Sequence, residues 1–356
     1  MLKYFRGSFI VTIIGLLLGY FWAEHSHPGS GFLALFIVVF LSILEVTLSF
    51  DNAVINAIKL EKMNEKWRHR FLTWGIAIAV FGMRFLFPIL VVAAFSGLTI
   101  WGVTKMALYD VDQYAHYLHL VHAPLVTFGG SFLLMLFLAY FFNEEKEVHW
   151  IKCLEEPMKK LNAVKYIDVV FSMVCLMVLQ NFIPQEQKVP VLMAGFTGII
   201  LYLVIDSVSN LLEQIAEAKA KLMGETAKLG FIGFLYLELI DASFSLDGVL
   251  GAFAISKDII IISIGLAIGA MFVRSLTIYM VDMKTLKQFI YLEHGAHWAI
   301  GLLAMIMFVS TRFEVPEVIT GGIGLVIVSC AFISSIKHNK KQLQNQIKEI
   351  VENKND

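Results

Sequence analysis

Apolar runs of about twenty residues recur along the whole chain, separated by short polar and basic stretches. Each has the length of a helix that crosses a bilayer. Ten can be read, near 7–23, 32–58, 71–96, 126–142, 166–183, 189–211, 229–255, 258–281, 294–310 and 318–336. Their apolar character is continuous rather than alternating, which predicts helices and not half-buried strands. In lipid every backbone polar group needs an internal partner, and a helix supplies it within its own segment. The expected fold class is all-α and polytopic. The first run has Lys3 and Arg6 ahead of its apolar centre, as a signal peptide does. The stretch Phe21, Trp22, Ala23 lacks a small-residue cleavage pattern, so the run reads as a retained span.

Composition narrows the class. Hydrophobic residues make up 58% and charged residues 16%, with mean hydropathy +0.73, which excludes a water-soluble enzyme and a disordered chain. A formal net charge of -1 gives no reason to expect a nucleic-acid partner. Cys153, Cys175 and Cys330 are too scattered for a disulfide framework or a CxxC metal site. The distribution of Lys and Arg sets an orientation. The N-terminus, the even-numbered connections and the tail hold 22 basic residues, and the odd-numbered connections hold 4. By the positive-inside rule both termini are cytoplasmic and residues 97–125 are external. This predicts a multi-pass protein of the cytoplasmic (inner) membrane, with the bilayer as its solvent. Residues 1–336 read as one transmembrane transporter domain and 337–356 as a polar cytoplasmic tail. Residues 212–228 read as a short cytoplasmic helix between the halves.

Two segments of the chain repeat each other. Glu45, Ser49 and Asp51 recur as Asp241, Ser245 and Asp247, at the same offsets of 0, 4 and 6. In the runs that follow, Arg84 lies nine residues after Gly75, and Arg274 nine after Gly265. Chance matches Leu, Val and Ile easily; it does not readily match acids and arginines, which are rare inside spans. Spans 2–4 thus correspond to spans 7–9, with a first repeat over about 1–183 and a second over about 189–336. An offset of five spans makes the copies cross the membrane in opposite directions. Inverted repeats of this kind belong to secondary transporters whose site lies near the midplane, at the repeat interface.

Glu45, Asp51, Glu238, Asp241 and Asp247 all fall within apolar runs. Each central acid costs about 2.5–3.5 kcal/mol on insertion scales. Arg84 and Arg274 supply only two compensating charges, so three remain; a divalent cation would neutralise most of them and a proton the rest. At 100° per residue Glu45, Ser49 and Asn52 share one helix face, whereas Asp51 points 120° away. A bend near Ser49 and another near Ser245 and Gly248 would bring the acids together. The expected ligands are therefore Glu45, Asp51, Asn52, Asp241 and Asp247, supported by Ser49, Ser245, Glu238, Arg84 and Arg274. Glu238 is the candidate for a coupling proton, since burial disfavours the ionised form of a carboxyl. An all-oxygen set suits Mg, Ca or Mn rather than Zn or Cu. An Arg–carboxylate network that merely ties spans together is the competing account; it would explain two of the acids well but not five.

These residues carry a resemblance. Glu45-x3-Ser49-x-Asp51-Asn52 resembles the first signature of the TerC family of integral membrane proteins, and Glu238-x2-Asp241-x2-Phe244-Ser245-x-Asp247 is similar to the second. Arg84 and Arg274 match arginines of the spans that follow, and residues 289–295 are similar to the family's F-x-Y-L-x-x-G segment. The resemblance covers about residues 31–142 and 229–310. It implies manganese export, metal supply to exported enzymes or tellurite resistance. The chain departs from the pattern at Gly248, where Ser is usual, and at Glu293 and His294, where Lys and an aromatic residue are common. The long, His-rich connection over 97–125 is a third departure.

The leading expectation is a secondary transporter that exports a divalent metal, Mn²⁺ first. The metal would be substrate, and no organic cofactor is expected. The competing expectations are a non-transporting membrane partner that assists metal loading of exported metalloenzymes, and an intramembrane aspartyl-type enzyme. No H-E-x-x-H or G-x4-G-K-[ST] motif occurs, so neither metalloprotease chemistry nor ATP drive is expected. His116, His119 and His122, beside Asp110 and Asp112, read as interfacial rings before they read as metal ligands. Asp168 and Asp206 likewise read as interfacial.

Overall fold

The computed structural model describes residues 2–78, 82, 86–143, 148–161, 163–223, 230–231, 233–235, 237–238, 240–241, 252, 255–256, 258–283, 288–313 and 315–352. Among them the regular structure is helical, in thirteen helices. These are α1 (Leu2–Ser26), α2 (Gly31–Leu48), α3 (Phe50–Lys62), α4 (Glu65–Ala77), α5 (Phe87–Ser96), α6 (Ile100–Tyr109) and α7 (Val111–Phe141). They continue with α8 (Lys152–Leu161), α9 (Ile167–Leu179), α10 (Lys188–Met223), α11 (Ile259–Asp282), α12 (Leu292–Ser310) and α13 (Glu317–Glu352). The protein is an all-α polytopic membrane protein.

Among the described residues seven stretches are long and apolar enough to cross a bilayer: Lys3–Ser26, Gly31–Leu48, Asp112–Phe141, Lys188–Val208, Ile259–Asp282, Leu292–Ser310 and Ile319–Gln342. Ile167–Leu179 is a shorter apolar helix at the expected fifth span. The expected third and seventh spans fall partly outside the described residues. The lipid-facing sides are plain in α1, where Ile10, Ile13, Leu17 and Phe21 are exposed, and in α9, where Val170, Val174 and Met177 are. Apolar side chains left bare in this way need a hydrocarbon solvent.

The core forms where α7 packs on α10 and α12, and where α11 packs on α1, α2 and α3. Phe132, Leu133, Met135 and Phe141 of α7 and Ala296 and Ile300 of α12 are almost fully buried in it. Ser8 of α1 donates to the Met271 carbonyl at 2.9 Å, and Trp22 Nε1 donates to Asp258 Oδ2 at 2.9 Å, fastening α1 to α11 at two levels.

Three connections are more ordered than expected. The span predicted at 126–142 is the second half of a 31-residue helix that starts at Val111. Its first half and α6 pack against α5, with Tyr114, Leu118, Val121 and Leu125 buried together on one stripe. His116 and His119 lie on the exposed side of that helix. Residues 212–223 do not form a separate helix; they continue α10, which runs unbroken from Lys188 to Met223. The polar tail likewise continues α13, as one helix of 36 residues.

Candidate functional site

The second apolar run breaks at Ser49, which closes α2 and opens α3 with φ -101° and ψ 15°. A break in the helix is present where a bend was expected, and the bend expected near Ser245 and Gly248 lies outside the described residues. It splits the residues that an unbroken helix would have aligned. Ser49 Oγ donates to Glu45 Oε1 at 3.0 Å, keeping those two on the α2 side. Asp51 sits in the first turn of α3 and takes the Asn52 backbone N–H on Oδ1 at 2.9 Å. A carboxylate is favoured there by the unsatisfied N–H groups that open a helix. Asn52, one position on, faces the other half of the chain and donates from Nδ2 to Asp241 Oδ1 at 2.7 Å. All four residues are buried.

Beside this contact lies a small cavity of about 20 Å³, lined by Asn56, Phe71, Gly75, Glu238, Asp241, Ala270, Val273, Arg274 and Thr277. That volume holds about one water-sized particle. It draws on both halves: α3 and α4 from the first, α11 and the Glu238–Asp241 stretch from the second. Glu238 is 5% exposed and Arg274 8%. Arg274 lies within Coulombic reach of both Glu238 and Asp241, and its guanidinium carbon stands 4.4 Å from the centre of the Phe71 ring. A Cβ placed on Gly75 would come within 2.5 Å of Glu238 Oε1 and 2.8 Å of Arg274 Nη2, so the absence of a side chain there lets the acid and the base approach α4.

The hydrogen-bonding balance at this place is unusual. Asn52 Oδ1, Asn56 Oδ1, both Glu238 carboxyl oxygens and Asp241 Oδ2 are buried with no hydrogen-bonding partner among the described residues. Arg274 Nε and Nη2 are in the same condition. Each unmet buried group costs about 1–3 kcal/mol. Four of these five acceptor oxygens belong to residues that line the cavity, and the fifth belongs to Asn52, which donates to Asp241 at its edge.

The structure brings together part of the expected set. Asn52, Asp241, Glu238 and Arg274 meet at the cavity or at its edge. Glu45 and Ser49 lie elsewhere, against α11, where a Cβ on Gly269 would come within 2.5 Å of the Glu45 Cβ. Asp51 faces α13; its Oδ2 is 3.4 Å from the position of a Cβ on Gly324. Asp247, Ser245 and Arg84 lie outside the described residues. Among the described residues no three His, Cys, Asp or Glu side chains group closely enough to hold a metal ion.

Residues 50–342 match the family described as "Protein of unknown function (DUF475)". The chain belongs to that family. The matched region contains Asn52, Asn56, Gly75, Glu238, Asp241 and Arg274, and begins just after Glu45 and Ser49. The chain is also similar to the uncharacterized membrane protein YceF of Bacillus subtilis (strain 168), at 29% identity over 114 residues. That stretch is 32% of this chain and 42% of YceF, so the match spans less than half of either protein. No solved structure shows a significant match.

Within this DUF475-family chain two groups of polar residues were not read from sequence as parts of a site. Asn56 and Thr277 line the cavity one turn or less from Asn52 and Arg274, and helical spacing from those residues was the available signal. The second group is farther away. Glu155 of α8 is 1% exposed; it accepts from the Trp150 and Ile151 backbone N–H groups and from Trp298 Nε1, at 3.1–3.2 Å. His294 Nε2 lies 3.8 Å from Glu155 Oε2 and 2.8 Å from the Val148 carbonyl oxygen, and its Nδ1 is 3.1 Å from Tyr140 Oη. Tyr140 in turn stacks on His297 with ring centres 3.6 Å apart. Glu155 sits in a charged stretch, where the sequence gives no sign that one of two adjacent glutamates is buried.

Proposed function

We propose that this protein is a secondary transporter that carries a small divalent cation, manganese first, out of the cytoplasm through the cavity between Asn52, Asn56, Glu238 and Asp241. The observation that carries the reading is the set of five buried acceptor oxygens without donors, placed beside the buried cationic side chain of Arg274. Two carboxylates and two carboxamides form an all-oxygen donor set, which suits hard cations. The size of the cavity supports an ion stripped of water. Mg²⁺ gives up its water reluctantly, and Ca²⁺ usually takes six to eight oxygens. Mn²⁺ fits between these limits, and the TerC resemblance of the two acidic motifs points to the same ion.

Arg274 serves in this reading as a tethered counter-ion. With no substrate bound it balances one of the two carboxylates. When a divalent cation enters, electrostatic repulsion drives the guanidinium away, and two carboxylates remain for two positive charges. Glu238, outside the pair of matched motifs, carries the coupling proton.

The test is Mn²⁺ flux into proteoliposomes holding the purified chain alone. Glu238→Gln and Asp241→Asn keep side-chain size while removing a carboxylate, and each is expected to reduce flux at least about tenfold, or about 1.4 kcal/mol. Absence of flux from the wild-type chain would overturn transport and leave a metal-loading partner as the reading. Full flux in both well-folded variants would remove the cavity from the pathway.

A further inference from the structure

Matching Glu45 to Asp241 and Gly75 to Gly265 also pairs Ser42 with Glu238 and Asn56 with Ala252. The structure makes the contact these pairs share twice, once in each half. Glu238 Oε1 approaches Gly75 at the cavity. Its counterpart Ser42 donates from Oγ to the carbonyl of Gly265 at 3.0 Å. The two copies of the contact differ in packing. The Glu238 copy borders open space. The Ser42 copy is shut: a Cβ on Gly265 would come within 2.7 Å of Leu41 Cβ, and Ala252 is fully buried with Leu41, Leu44, Ile262 and Leu266.

The two copies also lie toward opposite faces of the membrane. Asn56, Phe71 and Thr277 stand near the basic connections at 59–70 and 284–287, on the side the charge pattern assigns to the cytoplasm. Ser42 and Ala252 lie nearer the connections assigned to the exterior. We propose that Ser42, Glu45 and the Gly265 carbonyl form a second cation half-site on the external side, opened when the two halves exchange their packings. The proposal rests on the transport reading above, and it adds an asymmetry. Where the cytoplasmic site has Glu238, Asp241 and Asn56, the external one has Ser42, Glu45 and Ala252. An ion that passes between them exchanges two carboxylates and two carboxamides for one carboxylate, a hydroxyl and a backbone carbonyl, so it is held more weakly outside and leaves. External ion accordingly competes poorly with efflux.

The test uses the full chain with Cys153, Cys175 and Cys330 replaced by Ser, reconstituted with known sidedness. Ser42→Cys, nearly isosteric, is exposed to a charged, impermeant methanethiosulfonate reagent on each face in turn. Modification is expected from the external face alone, slowed several-fold when Mn²⁺ saturates the cytoplasmic face. A second variant, Ser42→Glu, restores the missing carboxylate, and external Mn²⁺ should then inhibit efflux at a concentration about tenfold lower. Modification from the cytoplasmic face, or none, during continuing Mn²⁺ flux overturns the half-site alone. An unchanged inhibitory concentration in a folded Ser42→Glu protein does the same. If the wild-type chain moves no Mn²⁺, the transport reading fails and the half-site falls with it.

Discussion

At Gly75 a hydrogen atom stands where any other residue would place carbon against Glu238 and Arg274. Gly75→Ala would gain up to about 1 kcal/mol of helix propensity while pushing the acid and the base aside. Transport is expected to fall at least tenfold with little loss of melting temperature, a combination that flux and thermal-shift measurements on one preparation would reveal. Asn52→Asp places a third carboxylate beside Asp241 without changing shape. That protein should be destabilised in chelator and regain its melting temperature with Mn²⁺ by a larger shift than the wild type, since a ligand that binds only the folded state stabilises it. An equal shift in both proteins would argue against an ion beside Asn52. At this scale the sequence was partly legible. The rarity of acids in apolar runs exposed Glu45, Asp51, Glu238 and Asp241, and the wheel separated Asp51 from Glu45. Asn56 escaped because a carboxamide in a span is too common to stand out. The approach of Asp51 to Gly324 of α13 had no signal in the sequence, because it depends on how α3 meets α13.

Among the elements, α8 is held by one buried carboxylate. Glu155 caps the two backbone N–H groups that precede its helix and reaches Trp298 of α12. Glu155→Ala leaves those donors unmet, at about 1–3 kcal/mol each, and should speed amide exchange across 150–161 at least tenfold while α7 stays protected. Exchange measured by mass spectrometry would show it, and equal protection in both proteins would mean that Met158 packing alone holds the helix. The first half of α7 teaches a different lesson about reading elements from sequence. Its buried stripe of Tyr114, Leu118, Val121 and Leu125 has helical spacing, but three histidines between those positions and two aspartates just ahead of them lower the local hydropathy. Hydropathy detects contact with lipid, and these residues are buried against α5 and α6 instead.

For the whole molecule, the expected orientation and repeat both rest on features spread over many residues. Local errors in span ends leave them unchanged. Reporter fusions after residues 60 and 352 are expected to read cytoplasmic, and one near residue 110 external; an external C-terminus would dismantle the inverted repeat. The pairing of Ser42 with Gly265 and of Glu238 with Gly75 could not be read from sequence, since it depends on how α2 crosses α11 and how the Glu238 stretch meets α4. The length of α13 has its own consequence. Its apolar part ends near residue 336, and the remaining sixteen described residues, 337–352, continue the same helix. A helix that starts inside a bilayer is already nucleated, so its polar extension needs only to propagate. At 1.5 Å per residue those sixteen residues lengthen the helix by about 24 Å. Such a rod is a ruler: a fluorophore fixed to its far end should show a set distance to lipid-headgroup acceptors, and each four-residue deletion along the rod should shorten that distance by about 6 Å.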